Sequence, residues 1–181
     1  DFTTIVDWIV NEGLDLDGND AVSIAAISLD DFTVATWFQK TDSAEHRTFL
    51  GSSSGNQKLL LLSNGNLYFR AEPSSSSLND NVGYVPASDD TTDNFLVIRR
   101  TGSTVEASIT PSLAVNVNTL VGLGGTPTLP GTFTFDRIGR NLDSDSDLTF
   151  WLGILDEMKI FDRALSSSEI QALYDAGPAI P

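Results

Sequence analysis

The ionisable residues of this chain suit carboxylate chemistry and little else. There are 25 Asp and Glu against 10 Lys and Arg, one histidine and no cysteine, for a formal net charge of −15 over 181 residues. Thiol nucleophiles, disulfides and cysteine-based zinc sites are therefore excluded. A serine triad would have to use His46, and no Gly-x-Ser-x-Gly elbow serves it. The interesting carboxylates are those on strands. Asp156 stands in the segment 153–161, where it shares parity with Met158 and Ile160 and so points toward the core face. Asp20 shares parity with Val22 and Ile24 in the same way. A carboxylate aimed into apolar surroundings needs a cation or several donors. Asp143, Asp145 and Asp147 form a third acidic group. The glycine and distal glutamate of an EF-hand loop are missing at their offsets, and a solvated loop is the simpler reading.

The charge balance also bounds the partners. A strongly acidic chain has no large basic patch for nucleic acid and is repelled by anionic membranes. It favours solubility and divalent cations. Hydrophobic residues make up 40%, an ordinary globular share. No apolar run approaches the ~18 residues of a membrane span, so membrane insertion is not expected. The chain starts at Asp1 without a signal-peptide pattern, which reads as a processed protein or an excised domain.

The elements that must position these groups are short strands separated by turn signals. Residues 32–38 alternate, with Phe32, Val34 and Phe38 on one face and Thr33, Ala35 and Trp37 on the other. Asn64-Gly65-Asn66 and Thr101-Gly102-Ser103 are hairpin signals. The segments 73–81 and 89–93 read as polar or acidic loops, and 82–85 as a short edge strand. One helix is expected, near the end. Ser166 and Glu169 form its capping box, Ile170, Leu173 and Tyr174 its apolar stripe, and Gly177-Pro178 its stop. The expected organisation is an N-terminal arm over 1–13, one domain over 14–177 and a tail over 178–181. The fold class is all-β, a two-sheet antiparallel jelly-roll sandwich with one short C-terminal helix.

Several blocks carry a family resemblance: Leu16-Asp17-Gly18-Asn19-Asp20, Phe32 to Trp37, Ile138-Gly139-Arg140, the run from Gly153 to Phe161, and Arg163-Ala164-Leu165-Ser166 with Glu169-Ile170 and Leu173-Tyr174. In this order they resemble the bacterial and phage laminin-G-like domains of the concanavalin A-like lectin/glucanase superfamily. The resemblance implies a jelly roll whose first and last strands are neighbours. Asp20 and Asp156 would then approach each other, and a structural calcium between them, helped by Asn19 and the Gly18 carbonyl, is the expected cofactor. The resemblance also implies a choice among three roles. The first is a non-catalytic carbohydrate-binding or adhesion module of a larger extracellular, cell-surface or virion protein, with a glycan or cell-surface polysaccharide as ligand. The second is a structural or decoration domain held by a parent or carrier assembly, with no sugar ligand. A glycoside hydrolase is the weakest, because the paired glutamates of the superfamily's glucanases are absent around Asp156 and Glu157. For a sugar site the candidates are Tyr68, Arg70, Tyr84, Arg140, Asn141 and Trp151, with Trp37, aromatic platforms and planar polar groups being what a pyranose needs. Trp37 and Trp151 equally suit a sandwich core.

Overall fold

The structure is a computed structural model that describes residues 6–8, 13–41, 46–53, 58–61, 64–70, 77–81, 90–111, 121–122, 132–141 and 150–178. Tyr84, the expected strand at 82–85, the acidic group Asp143, Asp145 and Asp147, and residues 179–181 of the tail lie outside the described residues.

The elements run β1 (Val6–Trp8), β2 (Leu14–Asp17), β3 (Val22–Leu29), β4 (Phe32–Lys40), β5 (Arg47–Gly51), β6 (Lys58–Leu61), β7 (Asn66–Arg70), β8 (Ser77–Asn81), β9 (Asp90–Thr101), β10 (Thr104–Pro111), β11 (Val121–Gly122), β12 (Phe133–Ile138), β13 (Leu152–Phe161) and α1 (Ser167–Ala176). A seven-stranded sheet has the order β1-β13-β4-β9-β10-β11, with β2 also on β13. A six-stranded sheet has the order β3-β12-β5-β6-β7-β8. The jelly-roll sandwich read from the sequence is what the chain forms, and its last strand does pair with its first ones.

Alternation explains the two layers. Phe32, Val34 and Phe38 leave β4 on the inner face and meet Phe49, Phe69, Phe133 and Phe135 of the other sheet. Phe32 lies 5.7 Å from Phe69 and 5.5 Å from Phe133 between ring centroids. Burying each such ring stabilises the fold by about 1.5–3 kcal/mol before entropy is counted. The odd residues of β4 make a second cluster on the outer face. Ala35 and Trp37 pack there with Phe95, Val97, Leu165, Ile170 and Tyr174, so α1 covers that face. Thr33 fixes the approach: its hydroxyl donates to the Arg163 carbonyl and accepts from the Leu165 amide.

Two expected loops are strands. β9 begins at Asp90, because β4 continues to Lys40 and offers it a partner there. Ser77–Asn81 pairs with β7 as a sheet edge, where backbone hydrogen bonds need no apolar side chains. The piece Val6–Trp8 of the expected arm is a strand on β13.

The helix starts as its sequence says. Ser166 caps it, and the Glu169 carboxylate takes the Ser166 amide at 2.7 Å and the Arg163 guanidinium at 2.6 Å. Arg163 first, then Ser166, hold the Glu169 carboxyl down at about 2. A carboxyl depressed in the folded state contributes stability above its unfolded value and loses it as pH falls through the folded one. At pH 7, Glu169→Gln is therefore expected to loosen α1, read as faster amide exchange at Ile170 and Tyr174. The difference from wild type should shrink as pH falls from about 4.5 to about 2.

Candidate functional site

Asp156 is not where alternation puts it. Against β4, Asp156 pairs with Trp37 but Lys159 with Ala35, so β13 holds one extra residue between them. Glu157 is that bulge, with a φ of 47° in the left-handed region. Leu155 and Met158 consequently both enter the core, whereas Asp156, opposite Trp37, belongs to the outer face. The carboxylate is fully buried and accepts a hydrogen bond from the Glu157 amide at 2.9 Å. The Thr36 hydroxyl donates to the Asp156 carbonyl at 3.0 Å. Asp156 thus braces the bulge, and Glu157 pairs with Lys159 beside it.

Asp20 lies elsewhere. The Asp17 carboxylate accepts the Asn19 amide at 2.9 Å, and Gly18, at φ 90°, turns the chain away from β2. Asn19 and Asp20 are exposed past that turn. The strand register sets Asp17 opposite Leu152, ~13 Å along β13 from Asp156. Gly18, Asn19 and Asp20 are therefore not assembled with Asp156. These residues do not fit the calcium clasp expected of them, and no group of three or more His, Cys, Asp or Glu suited to a metal occurs among the described residues.

The two outer faces differ. α1 covers that of the seven-stranded sheet. The outer face of the six-stranded sheet has no covering element among the described residues. Register draws one row across it: Ser23, Arg137, Gly51, Lys58, Arg70 and Ser77. Arg137 and Arg70 point outward, since their neighbours Ile138 and Phe69 fill the core. Three strand spacings, ~14 Å, separate their backbones. Tyr68 lies on the same face of β7, and the adjoining row runs from it through position 60 to Thr48.

Gly51 brings two more groups to this row. Directly opposed residues share a face, so a side chain at Gly51 would stand beside Arg137. That space is taken: a Cβ there would sit 2.3 Å from the Arg140 carbonyl oxygen and 2.8 Å from the Asn141 Cα. Asn141 is fully buried, and its Oδ1 accepts the Ser52 amide at 3.3 Å. Because Ser52 N–H can only donate, the amide orientation is fixed and Nδ2 is the end left over. The Arg140 guanidinium lies 4.5 Å above the Phe150 ring. Four polar atoms here are buried without a partner among the described residues: Thr48 Oγ1, Arg70 Nε, Arg140 Nε and Asn141 Nδ2. Orphans of this kind are uncommon in native proteins and call for a water, an ion or a ligand. Among the described residues, the carboxylate beside this row is Asp136, which is engaged by the Ser53 amide and hydroxyl and lies 3.7 Å from Arg137.

Of the sugar-site candidates, Tyr68 and Arg70 share the outer face of β7, and the backbone of Arg140 and Asn141 lies over Gly51 on that side of the sheet. Trp151 is not among them. It is fully buried, with its ring 4.3 Å from Phe49 and 5.5 Å from Phe38. Trp37 is stacked 5.3 Å from Tyr174 under the helix. Sequence reasoning missed Thr48, Gly51 and Arg137. Strict alternation would set Arg137 with Phe133 and Phe135 on the core face; a register shift between Phe135 and Arg137 turns it outward and brings Ile138 into the core instead.

Comparison with known proteins agrees with this architecture. Residues 16–171 match the model of the Laminin_G_3 family, described as the concanavalin A-like lectin/glucanases superfamily. No curated protein sequence matches the chain. Among solved structures, the CBM40 of the Ruminococcus gnavus IT-sialidase bound to α2,3-sialyllactose is similar at TM-score 0.63 and 14% identity, over 94% of this chain and 98% of that one. Domain 4 of AbnA, a GH43 extracellular arabinanase from Geobacillus stearothermophilus, in complex with arabinotriose, gives 0.64 and 16%, over 93% and 81%. The K499G mutant of the NanB sialidase from Streptococcus pneumoniae gives 0.57 and 13%, and there the likeness covers 92% of this chain but 27% of that one.

Proposed function

Because this chain belongs to the Laminin_G_3 family of the concanavalin A-like lectin/glucanase superfamily, we propose that it is a non-catalytic carbohydrate-binding module whose ligand lies on the outer face of the six-stranded sheet. One observation carries the reading: buried polar atoms without partners among the described residues lie on the same sheet face as Tyr68, an aromatic that can stack on a sugar ring. Similar folds hold sialyllactose and arabinotriose, which supports it. Hydrolysis would need two carboxylates flanking one bond. Asp156 is fully buried and Glu157 is paired with Lys159, so this pair is not arranged for it. On this reading the module belongs to a larger extracellular or surface-exposed protein, which the likeness to a domain of an extracellular arabinanase supports.

A glycan array followed by calorimetry on the best ligand tests the proposal. Tyr68→Ala is expected to weaken binding about tenfold, with stability changed by no more than about 0.5 kcal/mol. Wild-type protein silent on every sugar, but bound by a carrier protein, would favour the structural or decoration role instead. Unchanged sugar affinity in Tyr68→Ala would move the ligand off this face.

A further inference from the structure

We infer that the sugar this face takes is acidic, its carboxylate held by Arg70 with Asn141 and Arg140; the inference rests on the glycan-binding reading above. The unpartnered atoms are of one kind. Arg70 Nε, Arg140 Nε and Asn141 Nδ2 are N–H donors with no lone pair to offer, and only the Thr48 hydroxyl can play either part. A neutral sugar presents hydroxyls, each bringing a proton that needs an acceptor. Among the described residues the acceptors of this face are already partly engaged: Asp136 takes the Ser53 amide and hydroxyl, and the Asn141 oxygen takes the Ser52 amide. A carboxylate brings acceptors alone, two oxygens with about four lone-pair sites.

The arginine geometry points the same way. Nε together with one terminal nitrogen is the side of a guanidinium that grips a carboxylate in a two-bond fork. At Arg70 and Arg140 this Nε is buried and has no hydrogen-bond partner among the described residues. A buried charged donor without an acceptor costs more than a neutral one, so an anion gains most there. Placement agrees as well. Two strand spacings, ~10 Å, separate the backbones of Arg70 and Gly51, over which Asn141 lies. One or two sugar rings fill that gap. The chain has only 10 Lys and Arg in all, yet Arg70 and Arg137 stand in this one row and Arg140 follows β12 beside it. With a net charge of −15, the molecule as a whole repels anions. Attraction must therefore be local and short-ranged, which suits a site that selects one carboxylate and not a polyanion-binding surface.

The test uses matched pairs differing only in charge: trigalacturonic acid against its methyl ester, and 3′-sialyllactose against lactose, measured by calorimetry on the full chain. In at least one pair the acid is expected to bind about tenfold or more tightly than its neutral partner. Arg70→Gln should bring that ratio close to one, and Arg70→Lys, which keeps the charge but loses the fork, should lower it nearly as far. Melting temperatures within a few degrees of wild type would show that both variants fold. Equal affinity for acid and neutral sugar would overturn the acidic class while leaving glycan binding in place. A preference for the acid that survives both Arg70 variants would overturn the assignment of Arg70. No binding of any of the four sugars, alongside a silent glycan array, would remove the underlying reading too. Sodium acetate that competes as well as the acidic sugar would reduce the site to an adventitious anion only.

Discussion

Trp151→Ala is expected to cost about 3–5 kcal/mol of stability, the largest loss of any single change considered for this domain. Trp151 follows the Arg140–Phe150 contact at the end of the sandwich, and its amide donates to the Gly139 carbonyl at 2.7 Å. Its ring then fills the space between Phe38 and Phe49, with no exposed surface. Removing it leaves a cavity that neighbouring rings cannot close without leaving their rotamers. Urea denaturation should show a lower midpoint with an unchanged slope. Trp151→Phe is the informative partner. Its ring is smaller but apolar, and it discards an indole N–H that has no partner among the described residues. It should cost less than about 1.5 kcal/mol. A sugar-stacking tryptophan would behave in the opposite manner, with binding lost and stability kept. That result would require Trp151 to leave the core.

The second large effect is expected at Asp156. Asp156→Ala removes the acceptor that holds the Glu157 amide at a left-handed φ, and should destabilise by about 1–3 kcal/mol. Asp156→Asn retains an amide oxygen for the same hydrogen bond and should cost less. Asp20→Ala, in an exposed position, should lie within about 0.5 kcal/mol of wild type. These three variants separate a bulge brace from a metal clasp. If Asp156 and Asp20 shared an ion, EDTA would lower the melting temperature of wild type, and Asp156→Asn and Asp20→Ala would each abolish that sensitivity. With a brace, thermal unfolding of wild type is the same with calcium and with EDTA, and only the Asp156 variants melt early.

Asp156 shows where reading the sequence stopped and why. Its neighbours Met158 and Ile160 are in the core, as their parity requires, and so is Leu155. Strict alternation cannot place Leu155 and Met158 together, so something must be inserted between them. The sequence does not announce the inserted residue, because Glu157 is neither glycine nor asparagine. The bulge is imposed by the partner strand, where Thr36 and its hydroxyl meet the Asp156 carbonyl. A single extra residue turned an apparent inward carboxylate into one opposite Trp37 on the outer face. Asp20 failed for a related reason: the Asp17–Asn19 turn reset the face before β3 began.

Local physical chemistry did determine a good deal. The capping box at Ser166 and Glu169, the hairpins at Gly65 and Gly102, and the two faces of β4 all follow from residues in direct sequence contact. The ordered blocks from Leu16 to Tyr174 were enough for the fold family. The sugar candidates were legible only as residue types. Tyr68 and Arg70 sit on β7, whereas Arg140 and Asn141 follow β12, and two intervening strands decide that they share a face. Trp151 was separated from them by the same assembly, since a tryptophan at a strand's beginning suits a platform and a core equally until its neighbours are known. Hydrogen-bond satisfaction is likewise a property of the assembled sheet. A sequence states that arginine and asparagine have donors, but only the tertiary structure shows that Ser52 and Ser53 engage Asn141 and Asp136 while donors of Arg70, Arg140 and Asn141 are left without partners among the described residues. Side-chain type and short-range pattern fixed the elements; strand order and register, which depend on contacts far apart in the chain, fixed the site.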